Sequence, residues 1–92
     1  MPNQEQGFSI IFKKSAEKDL ARFDQKTRQR IADAISALAI NPHPHGSLKL
    51  SGFEDYWRIR IGSYRVVYQI RDNELIIFVI RIADRKDVYH GL

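Results

Sequence analysis

Apolar residues along the chain change their period once, near the middle. Residues 8–12 alternate loosely and run into Lys13 and Lys14, which predicts a first strand. Ser15 stands where a helix cap is wanted, and Ala16, Leu20 and Phe23 follow it at helical spacing. Asp24 is placed to cap a second helix with the stripe Thr27, Ile31, Ala34, Ile35 and Leu38. Asn41-Pro42 closes that helix, because proline lacks the amide donor and disfavours helix in the residue before it. A loop with two prolines and two histidines fills residues 41–46.

Beyond that loop the period is two. Residues 48–50 make a short strand candidate, and residues 57–61 alternate strictly. Gly62-Ser63 reads as a two-residue turn, residues 64–71 as the next strand, and Asp72-Asn73 as a second such turn. Residues 75–82 are almost continuously apolar, as in a strand covered on both faces. The expected fold is α+β: a small, mainly antiparallel sheet, in the order β-α-α-β-β-β-β, with two helices packed on one face. Ninety-two residues suit one domain, expected over 8–92 behind a flexible tail of residues 1–7.

Two-residue turns fix register, and register sorts side chains by face. Ile61 then lies opposite Tyr64, Arg60 opposite Arg65, Arg58 opposite Val67, and, through the second turn, Arg65 opposite Ile80. One face collects Trp57, Ile59, Ile61, Tyr64, Val66, Tyr68, Ile70, Leu75, Ile77 and Val79, and must be the one the helices cover. The other collects Arg58, Arg60, Arg65, Gln69 and Arg71 among Val67, Ile76, Phe78, Ile80 and Ile82. Arg60 and Arg65 are like charges directly opposed, which costs stability. A face left to water would not need Phe78 and three isoleucines. An anion for the arginines, with a protein or base stack for the apolar groups, explains both features. Arg81 has core-face parity and is expected at an edge, snorkelling.

Charge and composition agree with that reading without establishing it. The formal net charge is +4, which favours nucleic acid or an acidic protein. There is no cysteine, so disulfides and thiolate chemistry are out. The first seven residues lack the regions of a signal peptide, and no apolar run reaches membrane-spanning length. A soluble, cytoplasmic protein without membrane contact is the expectation. No phosphate loop or paired metal ligand appears, so no cofactor is expected. His43 and His45 read as loop residues, and adjacent Glu54 and Asp55 as a turn rather than a catalytic pair. If Asp84 caps a helical turn, Arg85 and Tyr89 share one side of it.

The run Lys49-Leu50-Ser51-Gly52, then Tyr56-Trp57-Arg58-Ile59-Arg60-Ile61, then Gly62-Ser63-Tyr64-Arg65-Val66-Val67-Tyr68, and finally Arg85-Lys86-Asp87-Val88-Tyr89, resembles the RelE branch of the RelE/ParE toxin superfamily. The resemblance spans roughly residues 8–90. It implies a type II toxin that cuts mRNA, typically in the A site of the translating ribosome. It also implies a cognate RelB-like antitoxin as partner, in a complex able to bind operator DNA. The site residues it carries over are Arg58, Arg60, Arg65, Arg85 and Tyr89. Arg71, from the shared face, and Lys86, from the closing motif, join Arg58, Arg60 and Arg65 as RNA contacts.

Cutting RNA without a metal can use the ribose 2′-hydroxyl as nucleophile on the adjacent phosphate. Arg65 and Arg85 suit bidentate stabilisation of the phosphorane. Relatives often carry lysines at the positions of Arg58 and Arg60, or a histidine where Asp84 stands. Arginine stays protonated, so Tyr89 becomes the expected general base, and the acid is left open. The alternative is a ParE-like inhibitor of DNA gyrase that shares the fold without nuclease activity.

Overall fold

In the computed structural model, which describes residues 7–84, 89 and 92, the chain runs β1 (Ser9–Phe12), α1 (Lys14–Ala21), α2 (Gln25–Ala37), β2 (Leu48–Lys49), β3 (Tyr56–Ile61), β4 (Tyr64–Arg71) and β5 (Ile76–Asp84). The expected α+β order is therefore present. The strands form one sheet in the order β1-β5-β4-β3-β2, antiparallel except where β1 runs beside β5. Of the expected tail, residues 1–6 lie outside the described residues, as do Arg85 and Lys86.

The helices close one face. Ala16, Ile31, Ile35 and Leu38 meet Ile59, Val66, Tyr68, Ile70, Ile77, Val79 and Ile82, with Leu20, Phe23, Trp57, Ile61 and Tyr64 packed at the margin. Burying each large side chain contributes about 1.5–3 kcal/mol. α1 has eight residues, too few to persist alone, so this packing is what holds it helical. Tyr68 is fully buried, and its hydroxyl donates to the Pro42 carbonyl at 2.7 Å. Burial pushes its pKa up to about 12.

The helix ends differ from expectation in instructive ways. Asp24 is the N-cap of α2, as expected. The Thr27 hydroxyl and amide lie close enough to lower its pKa, against some desolvation, without completing a well-formed cap bond. Ser15 is not a cap: the N-cap of α1 is Lys13, and the Ser15 hydroxyl donates to the Ile80 carbonyl at 2.6 Å. α2 stops at Ala37, before Asn41-Pro42, in a turn over residues 38–40.

The first hairpin has the expected register, with Ile61 opposite Tyr64, Arg60 opposite Arg65 and Arg58 opposite Val67. Gly62 supplies the turn with φ +62, and Ser63 is not in the left-handed region. That combination is the type II′ arrangement. The Arg30 guanidinium lies 3.1 Å from where a Cβ on Gly62 would stand.

The second hairpin corrects the sequence reading. Residues 72–74 form a 3₁₀ turn and Leu75 is left-handed, φ 54, so four residues rather than two separate β4 from β5. Arg71 then pairs with Ile76, and Leu75 is exposed instead of in the core. A β-bulge follows: Tyr68 lies opposite Val79 but Val67 opposite Arg81, which leaves Ile80 as the extra residue. Arg65 is consequently opposite Ala83, not Ile80. The bulge reverses the alternation, so Ile80 joins Val67 on the second face while Ile82 turns into the helical core.

Candidate nucleic-acid interface

The face away from the helices is graded along the strands. At its turn end Arg60 and Arg65 are register partners, and Arg65 faces Ala83 on its other side. Directly opposed residues place their Cα atoms about 5 Å apart, so the two arginine side chains leave the sheet side by side. Arg58 is next, opposite Val67. Its Nε is buried and, among the described residues, has no hydrogen-bond partner. The Tyr89 ring lies beneath the Arg65 guanidinium, 5.9 Å from centroid to Cζ. Tyr89 and Leu92 pack on Val67 and Ile80 together with Leu50, Tyr56, Phe78 and Ala83. Part of the apolar surface expected to await a partner is thus covered by the chain's own C-terminal residues.

The arginines divide by partner. Among the described residues the ion pairs are Arg71 with Glu74, at 3.2 Å, and Arg81 with Asp19, at 2.9 Å. Arg58, Arg60 and Arg65 have no carboxylate partner there. Arg71 belongs to the same face by parity. It sits six residues from Arg65 along β4, about 20 Å at strand rise, and is engaged by its own turn. The sheet brings together Arg58, Arg60, Arg65 and Tyr89, and does not bring Arg71 to them. Asp84 is the last residue of β5, opposite Tyr64.

Arg81 is not a free edge residue. Its Nε and one terminal nitrogen donate to the Asp19 carboxylate, which is 5% exposed and also accepts the Ile82 amide at 2.8 Å. Hydrogen bonding to that carboxylate raises the Arg81 pKa, so the guanidinium keeps its charge at any working pH. Here β1 has stopped pairing, and α1 takes over the edge of β5: the Lys13 amide donates to Val79, Ser15 to Ile80, and Asp19 accepts from Ile82. The last residues before the C-terminal segment are fixed from the helical layer. Asp19 escaped the sequence reading, although a signal was present. A carboxylate three residues after Ala16 and four before Phe23 lies within the apolar stripe and demands a buried partner.

His43 packs edge-on against Trp57, ring centroids 4.4 Å apart, which is the loop-packing role expected for it. Among the described residues no helix is long and apolar enough to cross a membrane.

Comparison with known proteins places this arrangement. The model of the ParE toxin family, from the type II toxin–antitoxin system parDE, matches residues 10–89. A RelE-like toxin protein of Escherichia coli is 32% identical over 87 residues, covering 90% of both chains. The mRNA interferase toxin RelE of E. coli K12 is 28% identical over 86 residues, 89% of this chain and 90% of that one. The toxin in the crystal structure of the intact E. coli RelBE toxin–antitoxin complex superposes with a TM-score of 0.75. It is 25% identical, over 86% of this chain and 98% of that one. With its β1-α1-α2-β2-β3-β4-β5 sheet and this match along nearly its whole length, the chain belongs to the RelE/ParE superfamily of type II toxins, in the RelE-like branch.

Proposed function

We propose that this toxin is a metal-independent endoribonuclease that cuts mRNA on the translating ribosome. The observation that carries the reading is the division among the arginines. Arg58, Arg60 and Arg65 share one face, with Arg65 over Tyr89, and have no carboxylate partner among the described residues, whereas Arg71 and Arg81 are paired. Like charges held together, with one buried Nε that has no partner among the described residues, cost stability unless an anion completes them. A scissile phosphate is such an anion. The similarity to a protein named an mRNA interferase supports the same reading.

In this mechanism the 2′-hydroxyl attacks the adjacent phosphorus as Tyr89, acting in its phenolate form, takes its proton. The bond from phosphorus to the 5′ oxygen breaks, and that oxygen takes a proton from solvent water as it leaves. The products are a 2′,3′-cyclic phosphate and a 5′-hydroxyl. Arg65, Arg60 and Arg58 stabilise the charge on the phosphorane, where preorganised donors have most effect. Arg85 and Lys86 are proposed to add to this cationic set. A RelB-like antitoxin is the proposed inhibitory partner, by analogy with the RelBE complex, in an assembly able to bind operator DNA.

Tyr89→Phe is expected to lower cleavage by about 10²–10⁴-fold, the range for a lost general base, while RNA binding stays nearly intact. Equal cleavage by that variant removes Tyr89 from acid–base work. The ParE family match supports a second reading, gyrase inhibition. Expression in cells separates the two: the nuclease produces codon-spaced cuts in translated messages, and the inhibitor produces DNA damage and filamentation.

A further inference from the structure

Away from the arginines the same face changes character. Tyr56 pairs with Gln69, Gln69 with Phe78, and Phe78 with Ile11, so one straight row crosses four strands. Residues directly opposed in a sheet project to one side, and this is the side of Arg58 and Arg65. Phe53 stacks on Tyr56, with ring centroids 5.1 Å apart and planes 20° apart. Lys13, two residues beyond Ile11 in the same direction, holds its ammonium 4.8 Å from the Phe78 ring centroid. Phe53 and Ile11 remain 40% and 42% exposed.

The row is presented by fixed backbone. Gly52 and Asp55 bracket Phe53 in left-handed conformations, φ 84 and 60. Leu50 donates to the Tyr56 carbonyl and Ile70 to the Asp55 carbonyl, which closes the loop onto β3 and β4. From Arg60 to Tyr56 along β3, and from Arg65 to Gln69 along β4, is four residues, about 13 Å. Cations with no carboxylate partner among the described residues stand at one end of this surface and flat rings at the other.

We propose that Phe53, Tyr56 and Phe78 form a stacking subsite for bases of single-stranded RNA, next to the phosphate held at Arg60 and Arg65. This rests on the RNA-cleaving reading above. Sheet-borne aromatics with flanking cations suit unpaired bases, since every base has a π-face and its backbone needs neutralising. The Gln69 amide, between Tyr56 and Phe78, adds a hydrogen-bonding edge. The Lys13 ammonium attracts any anionic partner, so it is the row of rings, rather than that charge, that favours bases over an acidic protein segment here.

The test uses the free toxin and short, fully 2′-O-methylated RNA, which cannot be cut. A single 2-aminopurine is moved along the strand, with anisotropy reporting affinity and quenching reporting stacking. Wild type is expected to quench the probe over a limited window of positions. Phe53→Ser and Phe78→Leu should each weaken binding by roughly ten-fold and abolish quenching, with the salt dependence unchanged. Phe53→Trp should restore both. Arg60→Gln should lower the salt dependence and keep the quenching. Phe53 lies in an exposed loop, so its substitution leaves the core in place. If the aromatic variants bind and quench as wild type while Arg60→Gln weakens binding, the stacking subsite is wrong and the nuclease reading survives. If wild type neither binds the RNA nor quenches the probe, the stacking subsite falls, and primer extension on a translated message decides the nuclease reading separately. If Phe53→Ser weakens binding of the antitoxin but not of RNA, the surface serves a protein and the subsite is overturned.

Discussion

The two faces of this sheet are made by the same strands, residue by alternate residue, yet they are finished in opposite ways. The helical face is closed. Its central side chains are buried, and Asp19, the charged residue buried there among the described residues, is satisfied by Arg81 and by a backbone amide. Among the described residues, the second face is closed in its middle, where Tyr89 and Leu92 lie on Val67 and Ile80. Its turn end carries Arg60 and Arg65 as opposed charges, and Arg58 with a nitrogen that has no partner among the described residues. A protein tolerates such costs where a ligand offsets them, so the face that folds worst is where function is expected.

That contrast can be broken from either side. On the helical face, Ile77→Ala removes a fully buried side chain and should cost about 2–5 kcal/mol in urea unfolding. A loss well below 1 kcal/mol would mean the helical face is not the core.

Asp19→Asn joins the two faces. It leaves Arg81 without its anion and weakens the hold of α1 on the end of β5. About 2 kcal/mol of stability should be lost, less than for a fully buried pair because the Arg81 side chain is 24% exposed. Cleavage should fall further than stability alone explains, through kcat rather than KM, because the segment that bears Tyr89 departs from there. A loss in KM alone would argue that Asp19 acts only on folding.

The smallest stability effect should fall on the second face. Arg60→Gln relieves a like-charge pair and is expected to raise stability by about 0.2–1 kcal/mol, while cleavage declines. A clear destabilisation would show that Arg60 has a structural partner.

Sequence made much of this legible. The strict alternation at Trp57-Arg58-Ile59-Arg60-Ile61 and the Gly62-Ser63 turn placed Arg60 opposite Arg65 correctly, because a two-residue turn leaves one register. The second hairpin was not legible in the same way. Asp72-Asn73 looks like a tight turn, but the chain takes four residues and puts Leu75 in a left-handed position. Nothing in an unbroken apolar run such as residues 75–82 marks which residue is the bulge, so alternation alone puts Ile82 on the wrong face. Asp19 was hidden for a different reason. Its partners, Arg81 and the Ile82 amide, are more than sixty residues away in sequence, and only the fold brings them together. The aromatic row through Tyr56, Gln69 and Phe78 also needed the true register of β5, since it runs across three hydrogen-bonded neighbours.

The most direct test of the central claim is primer extension on a translated message, comparing the wild-type toxin with Arg65→Ala. Arg65 touches both halves of the proposed site, opposite Arg60 and over Tyr89. The expected result is codon-spaced cuts with wild type and a loss of about 10²–10³-fold in their rate with the variant, the scale of one lost charge-stabilising donor. Cuts of equal strength from both proteins, or none from wild type, would contradict the account.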